Sequence, residues 1–228
     1  MPPPKLVVKP QTPAPVDKPA PVNTQEASST NVPFKQRTND KIVIVLDPGH
    51  GGEDYGTHSL GTPKYHEKYL NLSTSQMVKN FLQQFGYQVI MTRTDDTFIS
   101  LEQRALFANR LNPRLFVSIH YNSAPSKDAE GIEVFYYREE DDKTRETRSK
   151  QLAQAILKKT LQHTKAKSRG VKHGNYAVIR QTNMPAVLIE GGFLTNANEM
   201  DKIKSTAYQK SLALGIAQGI QDYLTSQK

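Results

Sequence analysis

The 228-residue chain contains neither cysteine nor tryptophan. Without cysteine it forms no disulfide bond and offers no thiolate ligand, so any metal ion must be bound by histidine and carboxylate side chains. No run approaches the roughly 20 apolar residues that a membrane-spanning helix needs, so we predict no membrane span. The first residues, Met1 to Lys5, lack the apolar segment of a secretory signal peptide. We expect that such a signal, if the protein acts outside the cytoplasm, has been removed.

Acidic residues are outnumbered, because 22 aspartates and glutamates stand against 30 lysines and arginines, for a net charge of +8. This excess favours polyanionic surroundings, such as nucleic acid or the anionic polymers of a bacterial envelope. The basic residues are scattered and are not interleaved with an aromatic platform, which argues against nucleic acid. We therefore predict no nucleic-acid partner.

Apolar clusters are almost absent from residues 1–38, which are rich in proline, alanine, threonine, serine and asparagine. Such a segment buries too little apolar surface to offset the entropy cost of ordering it. We predict that it is a disordered, partly polyproline tether. Signals for ordered structure begin near Lys41 and continue to the end of the chain, so residues 39–228 are expected to form one folded domain.

Strand and helix patterns alternate through this second part. Amphipathic spacing predicts helices over residues 66–85, around Leu152 and up to Leu224, and a capping box at Ser100–Gln103 opens another. This alternation predicts an α/β fold in which a twisted, mostly parallel or mixed sheet of about six strands is flanked by helices. Short apolar runs bounded by turn residues predict strands at 42–46, 87–91, 115–119, 132–136, 176–179 and 185–190.

Three of the predicted strands run into a residue that can bind or activate zinc. His50 follows the first strand, His120 ends the third and Glu190 ends the last. Ligands in an open α/β sheet lie beyond the carboxyl ends of the strands, so we expect these side chains to build one site there.

A zinc enzyme typically uses three protein ligands and leaves a fourth position open. His50 and His120 supply two, and we choose Glu67 as the third because it begins the helix that follows the His50 loop. Glu190 then remains as a general base and acid. Spacing alone leaves open which glutamate is the ligand. The other histidines that we considered are not expected to bind the metal: His58, His66, His163 and His173.

Two arginines and two polar residues near these strand ends receive structural predictions. We expect Arg93 and Arg104 to form salt bridges to nearby acids, and Asn122 and Ser123 to hydrogen-bond around the ligands. The charged stretch from Arg138 to Lys150 is predicted to be a solvated loop and helix start.

The order of these motifs resembles the zinc-dependent N-acetylmuramoyl-L-alanine amidases, the amidase-3 family of cell-wall hydrolases. The resemblance covers residues 41–226, and its motifs are specific as a set. It is carried by residues 47–52 (DPGHGG), Glu67-Lys68 with residues 70–72, Thr92-Arg93 with Asp96, Ser100-Leu101 with Arg104, Ala108-Asn109, residues 118–122 (SIHYN) and residues 185–196 (PAVLIEGGFLTN).

The resemblance implies a zinc amidase domain that cleaves the amide between N-acetylmuramic acid and the L-alanine of the stem peptide. It implies that His50, Glu67 and His120 bind one Zn²⁺ per chain and that Glu190 is catalytic. The partners expected are peptidoglycan or muropeptides and a recruiting or activator protein. We expect a monomer in the periplasm or extracellular envelope, acting in cell-wall remodelling and cell division.

Two alternatives stay open from the residues, a zinc peptidase acting within the stem peptide and a non-catalytic cell-wall-binding module. One departure from the family is also visible. Division-type members carry an extra helix that blocks the zinc, placed after the strand that matches Ile132–Tyr136. Here that interval is only a short charged stretch, so we predict that the blocking helix is absent and the site is open.

Overall fold

Six strands form a single sheet in the computed structural model, which describes residues 41–227. The predicted tether, residues 1–38, lies outside the described residues and stays a prediction. The strands are β1 (Val43–Pro48), β2 (Gln88–Met91), β3 (Leu115–Asn122), β4 (Ile132–Tyr136), β5 (Ser168–His173) and β6 (Ala186–Phe193). The sheet order is β2-β1-β3-β6-β4-β5, and every neighbouring pair is parallel except β4 with β6.

Successive strand residues point to opposite sides of the sheet, so apolar residues lie on both faces. Helices cover both of these faces. Ile44 and Leu46 of β1 face a core shared with the first, third and last helices, whereas Val45 faces the second and fourth. The predicted α/β fold with a mixed six-stranded sheet is confirmed. The helices are α1 (Glu67–Gln84), α2 (Leu101–Leu111), α3 (Lys143–Thr164), α4 (Ala177–Arg180), α5 (Ala197–Ile203) and α6 (Thr206–Ser226).

The helix starts follow local sequence signals. Ser100 accepts a hydrogen bond from the backbone of Gln103, whose side chain bonds back, so the predicted capping box is present at the start of α2. This helix ends before Pro113, as expected, with Asn112 in the left-handed conformation. None of the helices within residues 41–227 is long and apolar enough to cross a membrane.

The strand predicted at 176–179 is wrong, because these residues begin and form the short helix α4. Val178 and Ile179 are both buried, which is the pattern of a helix turn packed on a neighbour and not of a strand with alternating faces. The missing strand is β5, an edge strand whose polar, half-buried residues carry no apolar alternation. Helix α5 was also not predicted.

The charged stretch leads into α3 over a short connection. Residues 137–142 join β4 to α3, and Asp142 caps the helix by accepting a hydrogen bond from the backbone of Arg145. Arg145 is not solvated as we predicted for this stretch. It is 7% exposed and donates to the backbone carbonyls of Ile179 and Met184.

Candidate metal centre and catalytic site

The carboxyl ends of β1, β3 and β6 bring the predicted site residues together. His50 follows β1, while His120 and Glu190 are direct neighbours in the parallel ladder between β3 and β6. Glu67 is the first residue of α1, which the loop after β1 carries back over the same edge. All four predicted residues line one cavity of about 320 Å³.

Three of these side chains converge on one point. The Nε2 atom of His50 lies 3.1 Å from Oε2 of Glu67, and Nδ1 of His120 lies 2.9 Å from Oε1 of the same carboxylate. One donor atom from each of the three residues lies within 4.8 Å of the others, and no other such cluster of metal-ligating side chains occurs within residues 41–227. Two imidazoles and one carboxylate are a donor set that zinc enzymes use.

The imidazole of His50 is oriented from behind by Asp54, which sequence reasoning missed. The Nδ1 atom of His50 lies 2.8 Å from Oδ2 of Asp54. The hydrogen bond assigns the Nδ1 proton to this contact and leaves Nε2 to face Glu67. The backbone of His50 has a φ of 61°, which is a left-handed conformation. The two glycines that follow also have a positive φ, which glycine adopts without strain.

The imidazole of His120 is oriented by a chain of buried hydrogen bonds. Ser118 Oγ donates to Asp47 Oδ2 at 2.8 Å, so it accepts from Nε2 of His120 at 3.1 Å. The chain leaves Nδ1 of His120 to face Glu67. Asp47 is itself held by Arg104 and Thr92. Although burial raises the pKa of Asp47, the charge of Arg104 and these hydrogen bonds lower it below its ordinary value, so the carboxylate stays ionised.

Glu67 is buried, with 4% of the residue exposed, and both of its oxygens accept hydrogen bonds. Oε2 accepts from the backbone of Thr57 at 2.9 Å, and Oε1 accepts from Asn71 at 3.1 Å. Burial raises the pKa of Glu67, but its contacts with the imidazoles of His120 and His50 lower it more, so the carboxylate is ionised.

Two glycines leave the space that the side chains of His50, Glu67 and His120 occupy. A Cβ at Gly49 would lie 2.0 Å from the His120 ring, and one at Gly56 would lie 2.5 Å from Glu67 and 2.7 Å from His50. All three distances are shorter than van der Waals contact allows, so glycine is required at each position. The donors, their supporting partners and this space fit a zinc ion.

Glu190 has an environment unlike that of Glu67. It is 9% exposed, and its Oε2 atom is buried without a hydrogen-bond partner. Burial raises the pKa of Glu190 well above its ordinary value, and the charges of Glu67 and Glu133 raise it further. This carboxyl group holds a proton far more readily than an exposed glutamate does.

A third buried glutamate, Glu133, stands opposite Glu190 in the antiparallel β4–β6 pair, and sequence reasoning missed it. It accepts hydrogen bonds from Asn122 at 2.7 Å, from Arg169 at 3.1 Å and from Lys172. Asn122, predicted to hydrogen-bond around the ligands, therefore bonds this glutamate. The sequence signal was weak, because alternation in β4 places Glu133 between two apolar residues, where an outward-facing side chain is expected.

The structural predictions for the two arginines have different outcomes. Arg104 forms the expected ion pair with Asp47 at 2.8 Å, with both side chains buried. Arg93 instead donates to the backbone carbonyls of Pro48, Gly49 and Lys68, and it makes no ion pair within residues 41–227. It ties the His50 loop to α1, so the prediction of a salt bridge is wrong there.

The other histidines are not part of the cluster of His50, Glu67 and His120. His66 precedes α1, where its ring lies against those of Tyr55 and His58, and His163 bonds Gln218. His173 accepts a hydrogen bond from the backbone of Arg138.

Comparison with known proteins gives consistent results. Residues 44–222 match the amidase-3 family model, described as N-acetylmuramoyl-L-alanine amidase. The chain is similar to the probable cell wall amidase LytH of Staphylococcus epidermidis, with 34% identity over 201 residues. The match covers 88% of this chain but only 63% of that relative. The chain thus spans less than two thirds of the length of this curated relative.

Solved structures share the fold. A crystal structure of an N-acetylmuramoyl-L-alanine amidase from Clostridium difficile 630 superposes with a TM-score of 0.77 and 42% identity, covering 82% of this chain and 99% of that one. The CwlD amidase of Clostridioides difficile, solved in complex with the GerS lipoprotein, gives a TM-score of 0.75 and 30% identity, covering 82% and 100%. The chain belongs to the amidase-3 family, and its residues 44–222 form an N-acetylmuramoyl-L-alanine amidase domain.

Proposed function

We propose that this chain hydrolyses peptidoglycan with one zinc ion, at the amide between N-acetylmuramic acid and the L-alanine of the stem peptide. His50, Glu67 and His120 hold the metal, and Glu190 is the catalytic residue. The observation that carries the proposal is the convergence of three donor atoms within 4.8 Å beside a buried, unpaired carboxyl group. Family membership supports the reaction.

A bound zinc ion would supply a Lewis acid that polarises the scissile carbonyl and makes an attacking water more acidic. The chain's own residues do the remaining work. Glu190 accepts a proton from the attacking water and returns it to the amine nitrogen of L-alanine as the C–N bond breaks. Its raised pKa suits both roles, because burial and the charges of Glu67 and Glu133 favour the protonated form that returns the proton.

We further propose that the site is open without a blocking helix. Residues 137–142, which join β4 to α3, contain no helix. An inhibitory helix of several turns needs about 1.5 Å of rise per residue together with loops on each side, so this connection is too short to hold one. The CwlD amidase was solved with a lipoprotein partner. For this chain, we propose that a partner protein recruits the enzyme to the wall and is not needed for cleavage.

The place of action follows from the substrate. Relatives named cell wall amidases support action in the cell envelope. We propose that the protein acts there as a monomer, in cell-wall remodelling or cell division, with residues 39–228 as the catalytic domain and residues 1–38 as its tether.

Mass spectrometry of digested muropeptides tests the function. The amidase reaction predicts peptide-free glycan and intact stem peptides from the purified chain, with no activator added. Shortened peptides would show a zinc peptidase instead, and an unchanged digest with retained wall binding would show a non-catalytic binding module. Cleavage that strictly requires an activator would contradict the open site.

A further inference from the structure

A groove of about 680 Å³ is lined by residues from the same loops that carry residues of the catalytic cavity. Its first wall is the loop at 57–65, in which Thr57 lines the cavity and Ser59 lines the groove. Its second wall joins the residues after β3 to those after β6, since the backbone of Ala124 donates to Thr195 Oγ1 at 3.0 Å. The volume lies within the range of sites that bind small ligands, which is about 300–1,000 Å³.

Both walls are fixed by hydrogen bonds. Ser59 is 2% exposed and forms two hydrogen bonds with Tyr65. The backbone N–H of Ser59 donates to the carbonyl of Tyr65 at 3.0 Å, and the backbone N–H of Tyr65 donates to Oγ of Ser59 at 2.9 Å. In the second wall, Glu199 accepts from the backbones of Phe193 at 2.8 Å and Gly131 at 3.0 Å. A ligand therefore meets a surface that needs little ordering on binding.

The groove presents charges of both signs and exposed apolar surface. Lys127 and Asp128 line it, and neither side chain forms an ion pair within the described part of the chain. Lys204 and Asp201 line it too, and they pair with each other. Leu60 and Tyr65 are 55% and 37% exposed. This mixture suits a short peptide that carries carboxylates and an ammonium group.

The opposite side of the catalytic cavity differs. There a cavity of about 450 Å³ borders His50 and His120, and its exposed wall is formed by Phe98 and Leu101, which are 47% and 58% exposed. The sugar and the stem peptide leave the scissile amide in opposite directions. An uncharged pyranose ring suits the apolar wall, which leaves the groove of mixed charge for the peptide.

We infer that this groove, at residues 59–63 and 65 with 127–128 and 194–204, binds the charged part of the stem peptide beyond its L-alanine. The inference rests on the proposed amidase function. In this arrangement Lys127 attracts a peptide carboxylate and Asp128 attracts an ammonium group of the peptide, while Tyr65 and Leu60 cover the peptide's aliphatic parts.

A pair of substrates and a pair of variants test the groove. The substrates are N-acetylmuramoyl-L-alaninamide, which has no charged peptide, and the muramyl tetrapeptide. Lys127→Glu reverses a charge inside the groove, and Lys64→Glu makes the same change on the loop at 57–65, at a residue that does not line the groove. We expect Lys127→Glu to raise KM for the tetrapeptide about five-fold and to leave kcat little changed. The substitution replaces an attraction between two exposed charges with a repulsion. The alaninamide substrate and the Lys64→Glu variant should behave as in the wild type.

Equal effects on both substrates, or equal effects of both variants, would overturn the inference, since they would report net charge or folding. A direct titration separates this failure from failure of the proposed function. Free stem tetrapeptide, added to the full chain, should shift NMR signals at 127–128 and 194–204 even if neither muramyl substrate is cleaved. Shifts confined to Phe98 and Leu101 would place the peptide on the other side and refute the groove assignment.

Discussion

In the part of the site formed by β1, β3 and the start of α1, each of His50, His120 and Glu67 has a hydrogen-bond partner that fixes it. In the part formed by β6 and β4, Glu190 keeps a buried oxygen with no partner and faces the charge of Glu133. The first part stabilises an ionised carboxylate, and the second raises the pKa of one. Two glutamates in one cavity are thereby set to opposite protonation behaviour.

The difference teaches which carboxylate suits which task. A ligand must be ionised and held still, and Glu67 meets both requirements. A general base and acid must exchange a proton and move slightly as it does so, and an unbonded Glu190 is free to do this. The following substitutions break or sharpen this contrast.

Glu190→Gln should have the largest effect on catalysis. Glutamine has nearly the same shape but does not accept a proton from water, so turnover should fall by roughly 10²–10⁴-fold. The rate on a soluble muramyl peptide, at saturating substrate, measures the effect. A variant that retains wild-type turnover would remove Glu190 from the reaction.

Asp47→Asn should have the largest effect on folding, because it leaves Arg104 buried without its partner. Loss of one partner from a buried pair costs about 3–5 kcal/mol in the free energy of unfolding. Asp141→Asn, at an exposed acid, is the control and should be neutral.

The pH dependence of that stability has a defined sign. The pKa of Asp47 is lowered in the folded chain, so its stabilisation is present above its ordinary value of 3.8 and is lost as the pH falls toward the folded pKa. The free energy of unfolding in urea, measured across this pH range, should fall more steeply with decreasing pH in the wild type than in the Asp47→Asn variant. An unchanged acid dependence in the variant would contradict the ion-pair account.

Ser118→Ala should weaken zinc binding by about 10–100-fold, the usual effect of removing a group that orients a ligand. The matched control is Ser75→Ala, which removes a buried hydroxyl group that has no partner. Equilibrium dialysis against a zinc buffer gives both dissociation constants. Equal affinities would show that the bonds from Asp47 through Ser118 do not orient His120.

Removal of residues 1–38 should have the smallest effect. A segment without core-forming residues adds nothing to the packed domain, so melting temperature and activity on a soluble muramyl peptide should stay within error of the full chain. A clear loss of stability would show that this segment packs on the domain.

The sheet and the place of the four predicted site residues could be predicted from local patterns. Apolar runs mark the strands, and the carboxyl ends of parallel strands lie at one edge of the sheet. Apolar runs ending at His50, His120 and Glu190 place these residues at one edge. Ser118 also carried a signal, since it is a polar residue in a buried strand and shares a face with His120 two positions later.

Other features depend on contacts that no local pattern contains. Asp54 acts on His50 across a glycine turn, and the polar strand β5 is held by pairing with β4 at the edge of the sheet. The alternation of β4 predicts that Glu133 faces solvent. In the structure it is buried, and Asn122, Arg169 and Lys172 donate hydrogen bonds to it. Such positions require the tertiary structure.

The separation of roles between Glu67 and Glu190 is tested most directly by the zinc content of two matched variants. Glu67→Gln and Glu190→Gln make the same chemical change at two buried glutamates of one cavity. Elemental analysis after dialysis should find about one zinc ion per chain in Glu190→Gln, as in the wild type, and little in Glu67→Gln, because the third ligand of a three-ligand site is impaired. Zinc retained by Glu67→Gln and lost from Glu190→Gln would contradict the account by exchanging ligand and catalyst.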